Sequence, residues 1–206
     1  MNMRFLEKLL VNNTLREYLL RMNEAPRVLS GLPRLEGKTC LEIGCGNGAG
    51  ALLIKQYTGC KKLISLDIDP SMVQQAKRHI RNPPRWARSV SLAGIEFIEG
   101  DVTRLDLESA GFDAAFHFFV YDHVSQWRTA LKEVYRVLKP GGVYSFEEAL
   151  LPHTNLLFNG YFGHISITAE ELSAALSSAG YEIENFERGR FFPRCFVRAR
   201  KTIDRE

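Results

Sequence analysis

Cysteine is scarce in this chain, and no two of its four cysteines form a C-x-x-C pair: Cys40, Cys45, Cys60 and Cys195 are scattered. The five histidines do not approach them at zinc-like spacings, so reduced thiols are expected, with neither a disulfide framework nor a metal site. Long apolar runs are missing as well. No stretch has membrane-spanning length, and the N-terminus lacks the unbroken apolar core and small-residue cleavage site of a signal peptide; a cytoplasmic chain is the expectation. Nor is there an excess of charge of one sign. With 27 Lys and Arg against 24 Asp and Glu, the lopsided balance typical of nucleic-acid binders is absent. Repeats and low-complexity segments are absent too.

What remains is an ordinary globular composition, 45% apolar and 25% charged over 206 residues, enough for one domain with a full-sized core. The first part reads as helix. Phe5, Leu6, Leu9 and Leu10, then Leu15, Tyr18, Leu19 and Met22, recur at three- and four-residue steps, with "VNN" and Pro26 as candidate breaks. Residues 1–34 are read as a helical cap segment and 35–206 as the main domain. Within the latter, strands are expected at 39–43, 62–68, 95–100, 112–119 and 143–149, with helices between them. Asp69 before Pro70 reads as a helix N-cap, Thr168 with Glu171 as a capping box, and Gly180 as a helix stop. Two last strands, 181–187 and roughly 191–201, are close enough for an antiparallel hairpin. The expected fold is therefore α/β: a Rossmann-like, doubly wound, mostly parallel seven-stranded sheet with an antiparallel C-terminal edge hairpin and an N-terminal helical cap. Such sheets bind ligands at the carboxyl ends of their strands.

At the first of those ends stands "CLEIGCGNGAG", residues 40–50. "GCGNGA" satisfies the dinucleotide pattern G-x-G-x-x-G/A, a weak signal by itself. Glu42 sits two residues before Gly44, where its carboxylate would repel a diphosphate and attract an ammonium or sulfonium group. Asp67 ends the second strand, placed to accept from ribose hydroxyls. Asp101, in "EGDV", follows the third, placed to accept from an adenine amino group. Acid, glycine turn, acid, acid, with no phosphate clamp, describes a site for a cationic adenosine ligand.

At these residues the sequence resembles the class I S-adenosylmethionine-dependent methyltransferases. "LEIGCGNG" is similar to their first motif, "SLDIDPSMVQQAK" to their ribose-binding strand and helix, and "IEGDV" to their adenine-binding turn. "FDAAFHFF" through "RVLKPGGVYSFEE" looks like their fourth strand, following helix and fifth strand. The likeness spans roughly residues 37–150, and the C-terminal "TAEELSAALSSAGY" resembles the family's closing helix. The resemblance implies S-adenosylmethionine as cofactor. Glu42, Gly44, Cys45, Gly46 and Asn47 would line its methionine part and the turn. Asp67 and Ile68 would take the ribose and one adenine face, Asp101 and Val102 the adenine edge and other face. His117 and Phe118, just after strand four, would lie near the transferable methyl.

Several residues carry a plainer reading beside the sharper one. Asp69 is expected to be structural as a cap, which leaves Asp67 for a ligand. His123, in "YDHV", matches a histidine common in the small-molecule and lipid-quinone branch, yet packing or a helix start explains it equally well. Glu147 and Glu148 should face opposite sides of strand five. Tyr18, Tyr121, His123 and Glu148 are the candidate acceptor contacts, and no catalytic base is assigned. The basic run 77–88 reads as a solvated helix end. The N-terminal stripe is open between packing on the domain, a partner interface and a membrane-surface helix. The strand-four tail "HFFV" lacks the Asn/Asp-Pro-Pro-aromatic tetrad of nucleic-acid and protein-glutamine enzymes, and Leu, Phe and Tyr are frequent at 5–22 and 150–165. Together these features point to a small-molecule or lipid-like acceptor, with no nucleic acid and with peripheral membrane contact left open. The competing readings are a catalytically silent scaffold and an NAD-dependent dehydrogenase.

Overall fold

The structure, a computed structural model, describes residues 14–150, 165–190 and 192–203; the histidines at 153 and 164 and most of the second expected cap element, 150–165, lie outside them. The seven strands form a mixed, mostly parallel sheet. The chain packs as two compact units that divide between Asp101 and Val102, and the expected cap segment lies within the first.

The first unit opens with helix α1 (Thr14–Leu19), a π-helical turn (Leu20–Glu24) and α2 (Ala25–Leu29). Pro26 stands in the first turn of α2, so another helical turn begins there, as the sequence allows; its missing N–H costs nothing at that position. Strands β1 (Thr39–Ile43), β2 (Lys62–Asp67) and β3 (Ile95–Glu99) pair in parallel in the order β3-β2-β1. Helix α3 (Ala49–Thr58) joins β1 to β2, and α4 (Pro70–Arg81) leads away from β2. Leu41, Ile43, Leu63 and Leu66 make the strand side of the core, against Leu52, Leu53 and Ile54 from α3. Lys55 is buried too, its Nζ donating to the carbonyls of Cys60 and Ala93. At α4, Asp69 accepts from the Ser71 amide at 2.8 Å with Pro70 in the first turn, as the sequence predicts. Met72, Val73 and Ala76, at helical spacing, are its buried face.

The second unit contains β4 (Phe112–Phe118), α5 (Trp127–Val137), β5 (Leu138–Ala149), α6 (Ala169–Ser178), β6 (Tyr181–Arg188) and β7 (Arg194–Lys201), with sheet order β4-β5-β7-β6. β4 and β5 are parallel, and the last two pairings are antiparallel. Trp127, Ala130, Leu131, Val134 and Val137 form the buried stripe of α5. "KPGG" is not a separate turn but an excursion inside β5: Phe112 pairs with Leu138, whereas Ala114 pairs with Val143. Gly141 takes φ +75° there, and a Cβ on Gly142 would stand 2.8 Å from the Lys139 carbonyl. The Thr168–Glu171 capping box forms in both directions.

Candidate functional site

In the first unit, β1, β2 and β3 run parallel, so their carboxyl ends share one edge. Ile43 pairs with Leu66 and Asp67 with Glu99, which puts the glycine turn, Asp67–Ile68 and Asp101 at that edge together. The turn leaves β1 through Gly44 (φ +72°) and Gly46 (φ +49°) to Gly48 (φ +89°), the cap of α3. Each needs the left-handed region that side chains resist. A Cβ on Gly46 would meet nothing within 4 Å, whereas one on Gly48 would press on Ala76 of α4 at 3.1 Å. Gly46 therefore borders open space, and Gly48 is there for helix packing.

Glu42 is almost fully buried. It stands opposite Ser65 in the β1–β2 register, and the Ser65 hydroxyl donates to its Oε2. Burial, with the Asp67 charge adding to it and the Ser65 bond opposing it, pushes the Glu42 carboxyl up to about 8. Asp67 accepts from the Gly46 amide through Oδ2 and from the Asp69 amide through Oδ1, both at 3.0 Å. It thus pins the glycine turn to the end of β2. The Gly100 amide donates to the Asp67 carbonyl at 3.0 Å, tying the Asp101 turn to the same edge. Ile68 is 50% exposed despite its apolar side chain, a flat apolar surface between two acids.

Asn47 stands in the glycine turn just before α3. Its Oδ1 accepts from the Ala49 amide at 3.0 Å, and its carbonyl lies 2.9 Å from the His79 ring; it closes the first turn of α3. Cys45 is buried, and burial beside Asp67 and Glu42 pushes its thiol far above the usual range. It is a small apolar filler. Tyr18 is exposed on α1.

The second unit places the remaining candidates. His117 lies within β4, one residue before its end, and is fully buried. Its Nδ1 is 2.6 Å from the Tyr144 hydroxyl and its Nε2 is 3.2 Å from Glu148 Oε2. Burial pushes the imidazole down to about 3, so it is neutral, and both ring nitrogens are engaged. Tyr121 and Glu148 are fully buried as well. The Tyr121 and Tyr144 hydroxyls are 2.6 Å apart. Glu148 accepts from the Tyr121 and Val120 amides at 2.6 and 3.3 Å through Oε2 and from Ala149 through Oε1. Burial and the nearby Asp122 charge push it up to about 8. Its neighbour Glu147 pairs with Arg194 at 2.7 Å. Phe118 ends β4 half-buried, Val102 is buried, and His123 is partly exposed in a short 3-10 turn, 3.7 Å from Asp122.

Sequence reasoning missed Ser65, Tyr144 and Phe119. Ser65 was readable only as the residue two before Asp67, since its role depends on strand register. Phe119 has φ +56°, a conformation that costs a non-glycine residue about 1–2 kcal/mol. Its amide is held by the Glu147 carbonyl and the next two by Glu148. No residue type announces such a turn.

The methionine–ribose–adenine site inferred for S-adenosylmethionine fits these residues: a buried acid beside a second acid, a glycine turn bordering open space, and an exposed isoleucine all suit a cationic adenosine ligand. Comparison with known proteins bears on the family and its cofactor. The family model described as a methyltransferase domain matches residues 41–146. A probable S-adenosylmethionine-dependent methyltransferase of Mycolicibacterium smegmatis is 30% identical over 156 residues, covering 74% of this chain and 55% of its own. A sterol 24-C-methyltransferase of Eremothecium gossypii is 29% identical over 113 residues, covering 54% of this chain and 28% of its own. This chain thus spans about half, or less, of the curated relatives it matches. A crystal structure of an S-adenosylmethionine-dependent methyltransferase from Aquifex aeolicus superposes with a TM-score of 0.72 at 17% identity, covering 98% of this chain and all of the other.

Proposed function

The chain belongs to the class I S-adenosylmethionine-dependent methyltransferases, and on that premise we propose that it transfers the cofactor's methyl group to an acceptor of lipid-like bulk. The observation that carries the donor half is the buried Glu42 beside Asp67 at the glycine turn. Glu42 holds the amino end of the methionine moiety, exchanging its own proton for the ligand's positive charge. Asp67, held at the glycine turn by the Gly46 and Asp69 amides, takes the ribose hydroxyls. Ile68 covers an adenine face, and Asp101 accepts from the adenine amino group.

When bound, the cofactor would supply an electrophilic methyl on a sulfonium, which the acceptor takes in line as the neutral thioether leaves with the C–S electron pair. The chain's part is alignment, for which near-attack geometry can contribute roughly 7–11 kcal/mol. His117 is neutral, and both of its ring nitrogens are engaged inside the protein, so its side chain is assigned to holding the end of β4. The acceptor class is supported by the "HFFV" strand-four tail, which lacks a clamp for an exocyclic amine. The relative named as a sterol methyltransferase supports it as well.

Titration calorimetry with S-adenosylmethionine and, separately, NAD tests the donor half, with Asp67→Ala as control. Binding of S-adenosylmethionine that the variant loses is the expected result; binding of NAD alone refutes the reading. The acceptor half is tested by radiolabelled methyl transfer into fractionated lipid and polar extracts. Label confined to the polar fraction refutes a lipid-like acceptor.

A further inference from the structure

The connection from Val102 to Gly111, between β3 and β4, has neither helix nor strand of its own, so its backbone polar groups need partners from elsewhere. They meet the last turns of α5. Arg136 donates from Nη2 to the Leu105 carbonyl at 2.9 Å, and from Nη1 to the Leu107 carbonyl at 2.8 Å and the Ser109 hydroxyl at 3.2 Å. Its Nε and Nη2 also grip Glu133, at 2.9 Å to each carboxylate oxygen. A guanidinium has five N–H donors, and here each one is engaged. Glu133 in turn accepts from the Leu105 amide at 3.0 Å. Where α5 ends, the Arg136 and Val137 carbonyls accept from the Ala110 and Gly111 amides at 3.0 and 2.9 Å. Ala110 stands at φ +53°, a strained conformation for a residue with a side chain, so the clamp holds a bend that the chain resists.

Stability alone is a poor account of this arrangement. The Arg136 and Glu133 side chains are 34% and 22% exposed, and an ion pair three residues apart on a solvated helix face adds little. A lysine would serve such a pair as well. What arginine alone does is hold several acceptors in one plane at fixed angles. Three of the acceptors here, on Leu105, Leu107 and Ser109, belong to the connection that Asp101 and Val102 open. Hydrogen bonding from Arg136 also holds the Glu133 carboxyl below its usual range, so the pair stays ionised at neutral pH. A hydrogen bond weakens steeply as its angle opens, and an acid that is to read one edge of a base therefore needs a fixed backbone behind it.

We propose that Arg136, seated by Glu133, is a positioning residue for the adenine end of the cofactor site: it fixes the connection opened by Asp101 and Val102, and with it the selection of adenine over other bases. The inference rests on the donor site proposed above. Calorimetry with S-adenosylhomocysteine and with S-inosylhomocysteine, in which a ring carbonyl replaces the adenine amino group, tests it. The wild-type chain should bind the adenine form about tenfold or more tightly than the inosine form, which sets an acceptor against the Asp101 carboxylate. In Arg136→Lys, which keeps the charge and loses the planar fork, that preference should shrink to about threefold or less through weaker binding of the adenine form. Glu133→Gln, of the same shape without the charge, should narrow it likewise from a second residue. The measurements are made well below each variant's melting temperature, where a clamp that only stabilised the fold would leave the preference at its wild-type value. A preference that both variants retain overturns the inference and leaves the donor site standing. Equal binding of the two compounds by the wild-type chain removes the contact to the adenine amino group and overturns it as well. Failure of the wild-type chain to bind either compound overturns the donor site and this inference together.

Discussion

At pH 7 the Glu42 carboxyl holds its proton, because burial pushes it up to about 8. A ligand that brings a positive charge favours the carboxylate, so binding expels that proton. S-adenosylmethionine affinity should therefore rise with pH up to about 8 and level off above it. Calorimetry at pH 7 in buffers of different ionisation enthalpy should show proton release. Glu42→Gln should abolish the release and weaken binding by about 10- to 100-fold, the worth of a hydrogen bond to a charged group. An unchanged affinity in the variant would remove Glu42 from the site. Ser65→Ala takes away the hydrogen bond that opposes the upward shift, so the levelling should move to higher pH.

Elements separate residues that look alike in the sequence. Asp67 and Asp69 are two positions apart, yet Asp69 caps α4 and Asp67 spans the glycine turn. Asp69→Ala should lower stability by about 1 kcal/mol, a melting shift of about 2–4 °C for a chain of this size, with cofactor affinity unchanged. Asp67→Asn should do the reverse, keeping most of the melting temperature and losing most of the affinity. Gly180 ends α6 at φ +95°, and a Cβ there would stand 2.8 Å from the Tyr135 hydroxyl. Gly180→Ala should accordingly cost about 2 kcal/mol or more, from backbone strain plus the clash, measured by chemical denaturation. The stop signal was legible because glycine chemistry is local. The tyrosine ring that enforces it was not, because it arrives from another helix.

Across the whole molecule, the buried acids set how stability depends on pH. Glu42 and Glu148 both have folded pKa values near 8 against about 4.5 when unfolded. Between those limits the folded state holds more protons than the unfolded one, so stability falls as pH rises, by at most about 1.4 kcal/mol per pH unit for each group. His117, pushed down to about 3 from 6.5, acts oppositely: its contribution is present above 6.5 and is lost as pH falls toward 3. The cofactor-free chain should thus melt at lower temperature at pH 8 than at pH 5.5. Glu42→Gln should make that decline shallower, and an identical pH profile in the variant would refute the assignment. Saturating S-adenosylmethionine should raise the melting temperature most on the alkaline side, where its charge offsets the ionised Glu42.

The sequence by itself determined the alternation of strands and helices, the cofactor's chemical class and the caps at Asp69 and Thr168. Each rests on residue type and spacing along the chain, and short-range sterics and hydrogen bonding act there unaided. Only the tertiary structure decided which side of a strand is covered. Place along strand five leaves open whether Glu147 or Glu148 faces inward, and His117 is open between a ligand contact and a tucked side chain; in the fold His117 meets Tyr144 and Glu148 meets the Tyr121 amide. "KPGG" reads as a turn, and register makes it a bulge within β5. Glu42 meets Ser65 only because β1 and β2 pair with that alignment. The apolar stripe of α1 looks like a buried face until Trp86 and His79 claim its charged side. Periodicity says which residues share a face; what covers that face is settled by chain arriving from elsewhere in the fold.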